Sequence, residues 1–173
     1  MPKGLSQILQ DVPSQGDDQS AIDRILDAVR AHLGMEIAFA SRFVDGKREF
    51  THMRSDIPLP LGVGDAEPLE DTFCQRILEG RLPALIHDAK DHPAALELPI
   101  TSLLPIGSHL NVPLVMGDGS VFGTFCCVSR TPDHSLTQRD LATVRAFADL
   151  AASLINQDRL RQSSQDALRA KVD

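Results

Sequence analysis

Apolar residues recur at helical spacing near both ends of the chain and alternate in two stretches between, separated by segments rich in proline and glycine. In DDQSAIDRILDAVRAHL, residues 17–33, Ile22, Ile25, Leu26, Val29 and Leu33 hold the i, i+3, i+4, i+7 spacing of one helical face, and Gly34 supplies a stop. MEIAFASRFV and KREFTHMRS then flank Asp45-Gly46, a dipeptide that tolerates the positive φ angles of a tight hairpin. They are read as two antiparallel strands. DIPLPLGVGDAEPLE is too dense in proline and glycine for regular structure and is read as a loop leading into a helix. That helix is EPLEDTFCQRILEG, where Leu69, Phe73 and Ile77 recur every four residues and Gly80 closes the end.

LPALIHD is a short strand candidate, and AKDHPAALELPITSLLPIG a short helix with an irregular crossing, because Pro93, Pro99 and Pro105 forbid one long element. GSHLNVPLVM and SVFGTFCCVSR, joined by Gly117-Asp118-Gly119, alternate as a second hairpin. The closing SLTQRDLATVRAFADLAASLINQDRL takes Ser135 or Thr137 as N-cap and keeps Leu141, Val144, Ala148, Ala151 and Ile155 near one face. Beyond it Leu160, Leu168 and Val172 form a thinner stripe among polar positions, which implies a helix that pairs with a copy of itself as a parallel dimer stalk. Hairpin strands with helices at both ends describe an α+β domain around an antiparallel sheet.

Composition narrows the function classes. With 173 residues, 42% of them apolar, one domain can bury a core without metal or disulfide help. A net charge of −7 opposes an extended phosphate-binding surface, and the absence of Trp and Tyr removes the stacking platforms of single-strand binders, so nucleic acid is not an expected partner. Three cysteines at unrelated spacings with no signal-peptide pattern before them imply a reducing, cytoplasmic setting. No apolar run approaches the roughly 20 residues of a membrane span.

Three segments in this order, GRLPALIHDAKDHPA, LPIGSHLNVPLVMGDGSVFGTFCCVS and SLTQRDLATVRAFADLAASL, resemble a GAF domain, a sensory relative of PAS domains. The resemblance covers roughly residues 17–156, leaving 1–16 as an extension and 157–173 as a signalling helix or linker. It implies a GAF/PAS-like antiparallel sheet of about six strands, with the terminal helices on one face and a loop-covered pocket on the other. The lid would come from the segments Leu59 to Pro68 and Ala89 to Gly107. It also implies a small-molecule ligand that it does not identify, since GAF domains differ in what they bind. Bilin-binding relatives commonly anchor the pigment through a cysteine followed by histidine; here Cys74 precedes Gln75 and Cys127 precedes Val128. The tail DALRAKVD is similar to the approach to an EAL-type cyclic di-GMP phosphodiesterase domain.

Cys126 and Cys127 are strand neighbours and point to opposite faces, so they cannot work together as a dithiol and read as core packing. Cys74 lies near a helix start, where a thiol pKa falls, but beside Glu70, Asp71, Ile77 and Leu78, and reads as core or pocket wall. His87-Asp88-Ala89-Lys90-Asp91-His92 raises a metal site; without a zinc spacing, the carboxylates read as turn caps. His109 and Asn111 alternate with Leu110 and Val112 on a central strand with nothing local to satisfy them, which makes them the leading ligand contacts. Cys74 and His52 follow. No nucleophile elbow, phosphate loop or catalytic set is present, and no metal or cofactor is assigned. Three functions are carried forward: a sensory module, a thiol-dependent reductase of the methionine-sulfoxide kind, and a ligand-free dimerisation module.

Overall fold

Helix α1, Asp18–Leu33, buries Ile22, Ile25, Leu26 and Val29, the stripe its spacing predicts. The structure is a computed structural model that describes residues 18–172, so the extension expected over 1–16 lies outside the described residues. Strands β1 (Ile37–Val44) and β2 (Lys47–Ser55) form the first hairpin, whose turn residues Asp45 and Gly46 have φ of 52° and 72°. Both values are the left-handed ones that a two-residue hairpin turn with the native twist requires. The second hairpin is β5 (Ser108–Val115) with β6 (Val121–Ser129), and β6 pairs with β1 at the centre of the sheet.

Two more strands complete six in the order β3-β2-β1-β6-β5-β4, every pairing antiparallel. One of them corrects the expected loop over 56–70. Ala66–Pro68 is β3, an edge strand placing Glu67 opposite Arg48, and its proline sits where no outer ladder bond is needed. The expected helix over 67–80 is also shorter. Leu69–Asp71 is a 3₁₀ turn, and Thr72 breaks the run by capping α2 (Phe73–Leu78), its hydroxyl accepting the Gln75 N–H at 3.1 Å. The strand candidate LPALIHD reduces to β4, Leu85–Ile86, because the chain leaves the sheet at His87. A 3₁₀ turn at Ala89–Asp91 and the short helices α3 (Pro93–Leu96) and α4 (Ile100–Leu103) form the crossing the prolines foretell.

Helix α5 runs Gln138–Val172, 35 residues. Thr137 is its cap: the Thr137 hydroxyl accepts the Asp140 N–H at 3.4 Å while the Asp140 carboxylate accepts the Thr137 N–H at 2.8 Å. This is the reciprocal capping box, with Asp in place of Glu. Leu141, Val144, Ala148 and Ala151 are buried as the spacing requires, joined by Phe147 and Ala152. Further on, Leu160 and Leu168 are 62% and 63% exposed, and the side chain of Val172 lies outside the described residues.

The sheet separates two cores. On one face α1 and α5 close over Ala38, Ala40, Leu110, Val112, Phe125 and Cys127. On the other, Ile37, Phe39, Phe50, Cys126 and Val128 meet α2 and the loops. At the seam between β1 and β6, Gly123 leaves room for the Ser41 carbonyl, which a Cβ would strike. No helix among the described residues is long and apolar enough to cross a membrane.

Candidate functional site

A cavity of about 60 Å³ lies on the loop-covered face. Its floor is the sheet, through Phe39, Arg48, Phe50, His109 and Val128. Its walls are Phe73 of α2, Leu59 to Leu61 of the β2–β3 loop, and Ile100, Leu104 and Ile106 of the crossing. Both segments read as a lid thus supply wall residues.

Arg48 and His109 are the two charged or titratable members of this wall. Arg48 is 5% exposed, with its guanidinium carbon 4.4 Å from the Phe50 ring centroid and 5.3 Å from that of Phe39. Its Nη2 donates to Glu67 at 2.5 Å and its Nη1 to the Cys74 sulfur at 3.5 Å, while Nε has no hydrogen-bond partner. Burial works against its charge, and the neighbouring Cys74 and Glu67 overcome that and raise its pKa. His109 stacks on Phe73, centroids 4.6 Å apart, and its Nδ1 is likewise buried without a partner. Burial first, and the Arg48 charge second, push its pKa down to about 3, so the ring is neutral at ordinary pH.

Below Arg48 lies a polar cluster that spacing along the chain does not reveal. Asn111 Nδ2 donates to Cys126 Sγ at 3.0 Å and to Cys74 Sγ at 3.3 Å, bringing the two sulfurs together. The Thr124 hydroxyl sits 3.0 Å from Cys74 Sγ and 2.8 Å from the Ser41 hydroxyl. Burial is the largest influence on Cys74 and would raise its pKa. The Cys126 thiol, the Arg48 charge and the bonds from Thr124 and Arg48 together outweigh it and hold Cys74 well below the usual thiol range. Cys126 moves the other way, pushed up by burial and by its neighbour Cys74. The cluster sets the Cys74 sulfur against Arg48 beneath the cavity.

Of the residues singled out from sequence, His109 lines the cavity, while Asn111 and Cys74 are buried in the cluster under it. Cys126 faces this cluster and Cys127 the helices, as strand alternation demands. Cys126 does meet a second thiol, that of Cys74. His52 lies elsewhere. The bulge between Ala40 and Ser41 turns Phe50 to the cavity face and His52 to the helix face, opposite Ala40. There His52 borders a surface groove with Phe122, Leu154 and Arg159. Asp88 caps its turn, accepting the Lys90 N–H at 3.0 Å. Asp91 lies instead beside Asp88 and His134, ligand atoms within 4.8 Å of one another, and nothing further at this exposed spot points to a metal.

Arg48 and Glu67 are what the sequence reading missed. The signal was an arginine at the same strand parity as Phe50 in KREF, two residues past the hairpin turn. Glu67 could be found only with β3, a strand too short to show periodicity.

A sheet of this order, with terminal helices on one face and a loop-covered cavity on the other, is an architecture shared with known sensory modules. A family profile described as GAF domain matches residues 16–156. The chain belongs to the GAF domain family. GAF domains are sensory modules and are not typically catalytic. A cyclic di-GMP phosphodiesterase of Pseudomonas aeruginosa is 27% identical over 143 residues, covering 82% of this chain and 23% of that protein. The chain thus spans about a quarter of that relative's length. Among solved structures, the GAF domain of a phosphoenolpyruvate-protein phosphotransferase from Coxiella burnetii superimposes with a TM-score of 0.73 at 18% identity, over 92% of this chain and 94% of that one. The phycoerythrobilin-bound GAF domain of a cyanobacterial phytochrome gives 0.69 at 16% identity, over 91% and 95%. At these identities the likeness is one of fold.

Proposed function

We propose that this GAF domain is the ligand-binding sensor of a cytoplasmic signal-transduction protein. A small molecule enters the cavity and draws in the segments around Leu59 to Leu61 and Ile100 to Ile106. The change crosses the sheet to α1 and α5 and so reaches an effector, an EAL-type cyclic di-GMP phosphodiesterase domain following α5. The observation that carries this reading is the apolar cavity with Arg48 and His109 in its wall, each holding a buried nitrogen without a partner. Buried polar atoms in native proteins are nearly always satisfied, so two orphans at one cavity suit a site that a ligand completes. The kinship with a phosphodiesterase supports the choice of effector. Transmission requires that the ligand bind two arrangements of the terminal helices with different affinity.

The same protein is proposed to be a homodimer, with the exposed stripe Leu160 and Leu168 forming the seam. Native mass spectrometry beside the denatured mass tests both claims. A dimer carrying extra non-covalent mass is the expected result. A bare dimer that also binds nothing in a metabolite screen would leave a ligand-free dimerisation module. The double change Leu160→Ser and Leu168→Ser is expected to give monomers with an intact fold; a dimer that survives it places the interface elsewhere.

Thiol chemistry is the second reading, favoured by the lowered pKa of Cys74 and by Cys126 at its side. Both sulfurs are fully buried, which supports the sensory reading over it. Turnover of free methionine sulfoxide that Cys74→Ser abolishes would reverse that order.

A further inference from the structure

The charge around the cavity floor limits what can enter. Arg48 brings one positive charge, already met by the Glu67 carboxylate on Nη2 and the Cys74 sulfur on Nη1. A carboxylate or phosphate would add a negative charge with no free cation in the wall to answer it. A cation would approach Arg48 and find no carboxylate in the wall. A wholly apolar molecule would leave the Arg48 Nε–H as unsatisfied as before. An uncharged oxygen escapes all three objections. A carbonyl oxygen has two lone pairs and can accept from the Arg48 guanidinium and from a ring N–H of the neutral His109, the two polar side chains of the wall.

Size narrows the class further. The walls are otherwise apolar, with Phe39, Phe50, Phe73 and Val128 around the two polar side chains. A space of about 60 Å³ suits a small molecule. An open-chain tetrapyrrole, as bound by the bilin GAF domains, is far larger. We infer that the cavity takes a small, uncharged, mainly apolar molecule bearing one carbonyl-type acceptor, which Arg48 and His109 receive at the floor. The inference rests on the cavity being a ligand site, as proposed above, and adds the ligand's chemistry to it.

Four small ring molecules of nearly equal size separate the possibilities: cyclopentanone, cyclobutanecarboxylate, cyclopentylamine and methylcyclopentane. Each is titrated into the whole chain, followed by the melting temperature and by the Arg48 Nε–H signal in a proton–nitrogen spectrum. Cyclopentanone is expected to raise the melting temperature and move the Arg48 signal, binding about tenfold or more tighter than methylcyclopentane. The two charged molecules are expected to bind more weakly still. Tighter binding of the carboxylate or the amine overturns the uncharged class and leaves the ligand site standing. Equal binding of methylcyclopentane overturns the acceptor. If none binds while the purified protein carries a non-covalent mass, the chemistry named here is wrong and the sensor reading survives; if none binds and no mass is found, both fall. In Arg48→Met the preference for cyclopentanone over methylcyclopentane is expected to vanish, and a retained preference removes Arg48 from the site. Should that variant not fold, the Arg48 signal in the unaltered chain decides.

Discussion

The two faces of one sheet are built to opposite rules. Toward α1 and α5, strand residues such as Leu110, Val112 and Phe125 are fully buried among aliphatic and aromatic partners. Toward the loops, the sheet presents Arg48, His109, Asn111 and Thr124, with a cavity above them. A packed apolar interior is intolerant of lost volume. A buried polar cluster under a void is the reverse, so the difference between the faces separates support from sensing within one layer of backbone.

The largest expected contrast is in truncation. Phe147→Ala opens a cavity on the helix face, where the ring is 0% exposed, and is expected to cost about 3–5 kcal/mol in denaturant unfolding. Leu104→Ala on the other face removes a half-buried side chain that already borders a void, and less than about 1.5 kcal/mol should be lost. Equal costs would mean that the loop-covered face is as tightly packed as the helix face.

Acid is the next lever. The folded pKa of His109 is depressed from 6.5 to about 3, so its contribution is fully present above 6.5 and is lost as the pH falls through that window toward 3. Well below 6.5 the loss is about 1.4 kcal/mol per pH unit. Cys127 on the helix face works in the opposite sense: burial pushes it up to about 12, so its neutral form contributes fully below 9.0 and that contribution is lost between 9.0 and 12. His109→Gln should flatten the acid limb of the stability curve and leave the alkaline limb unchanged. An acid limb that persists in the variant would place the titrating group elsewhere.

How far these faces could be read in advance depended on the range of the signal. Period-two alternation assigned Leu110 and Val112 to the core and His109 and Asn111 to the other side, and it divided Cys126 from Cys127. Helical spacing located α1 and the buried stripe of α5. Alternation misled at His52, since a bulge at Ala40/Ser41 reverses the parity of β2 after Phe50, and a bulge leaves no mark in the order of apolar residues. The meeting of Cys74 with Cys126 was out of reach for another reason. They are 52 residues apart in the numbering, on a helix and on a strand, and tertiary contacts alone, the Asn111 amide between them and Thr124 and Arg48 beside Cys74, make the pair. Local pattern fixes which face a residue takes, and tertiary contact fixes what it meets there.

The smallest expected effect on stability belongs to the adjacent cysteines, and it tests the two faces most closely. Cys126→Ala and Cys127→Ala each delete one buried sulfur, and each is expected to cost about 1 kcal/mol. Their consequences for Cys74 should differ. Cys126 is the foremost of the groups that lower the Cys74 pKa, whereas Cys127 packs with the helices and takes no part. Thiolate absorbance followed against pH should therefore show the Cys74 transition moving upward, toward the usual value near 9.0, in Cys126→Ala alone. The stability that Cys74 contributes, present above 9.0 and lost as the pH falls through its folded value, should shrink with it. A Cys74 transition that stays in place without Cys126 would make Arg48 the chief cause of the lowered Cys74 pKa, and one that moves in Cys127→Ala would mean that the sheet does not insulate its two faces.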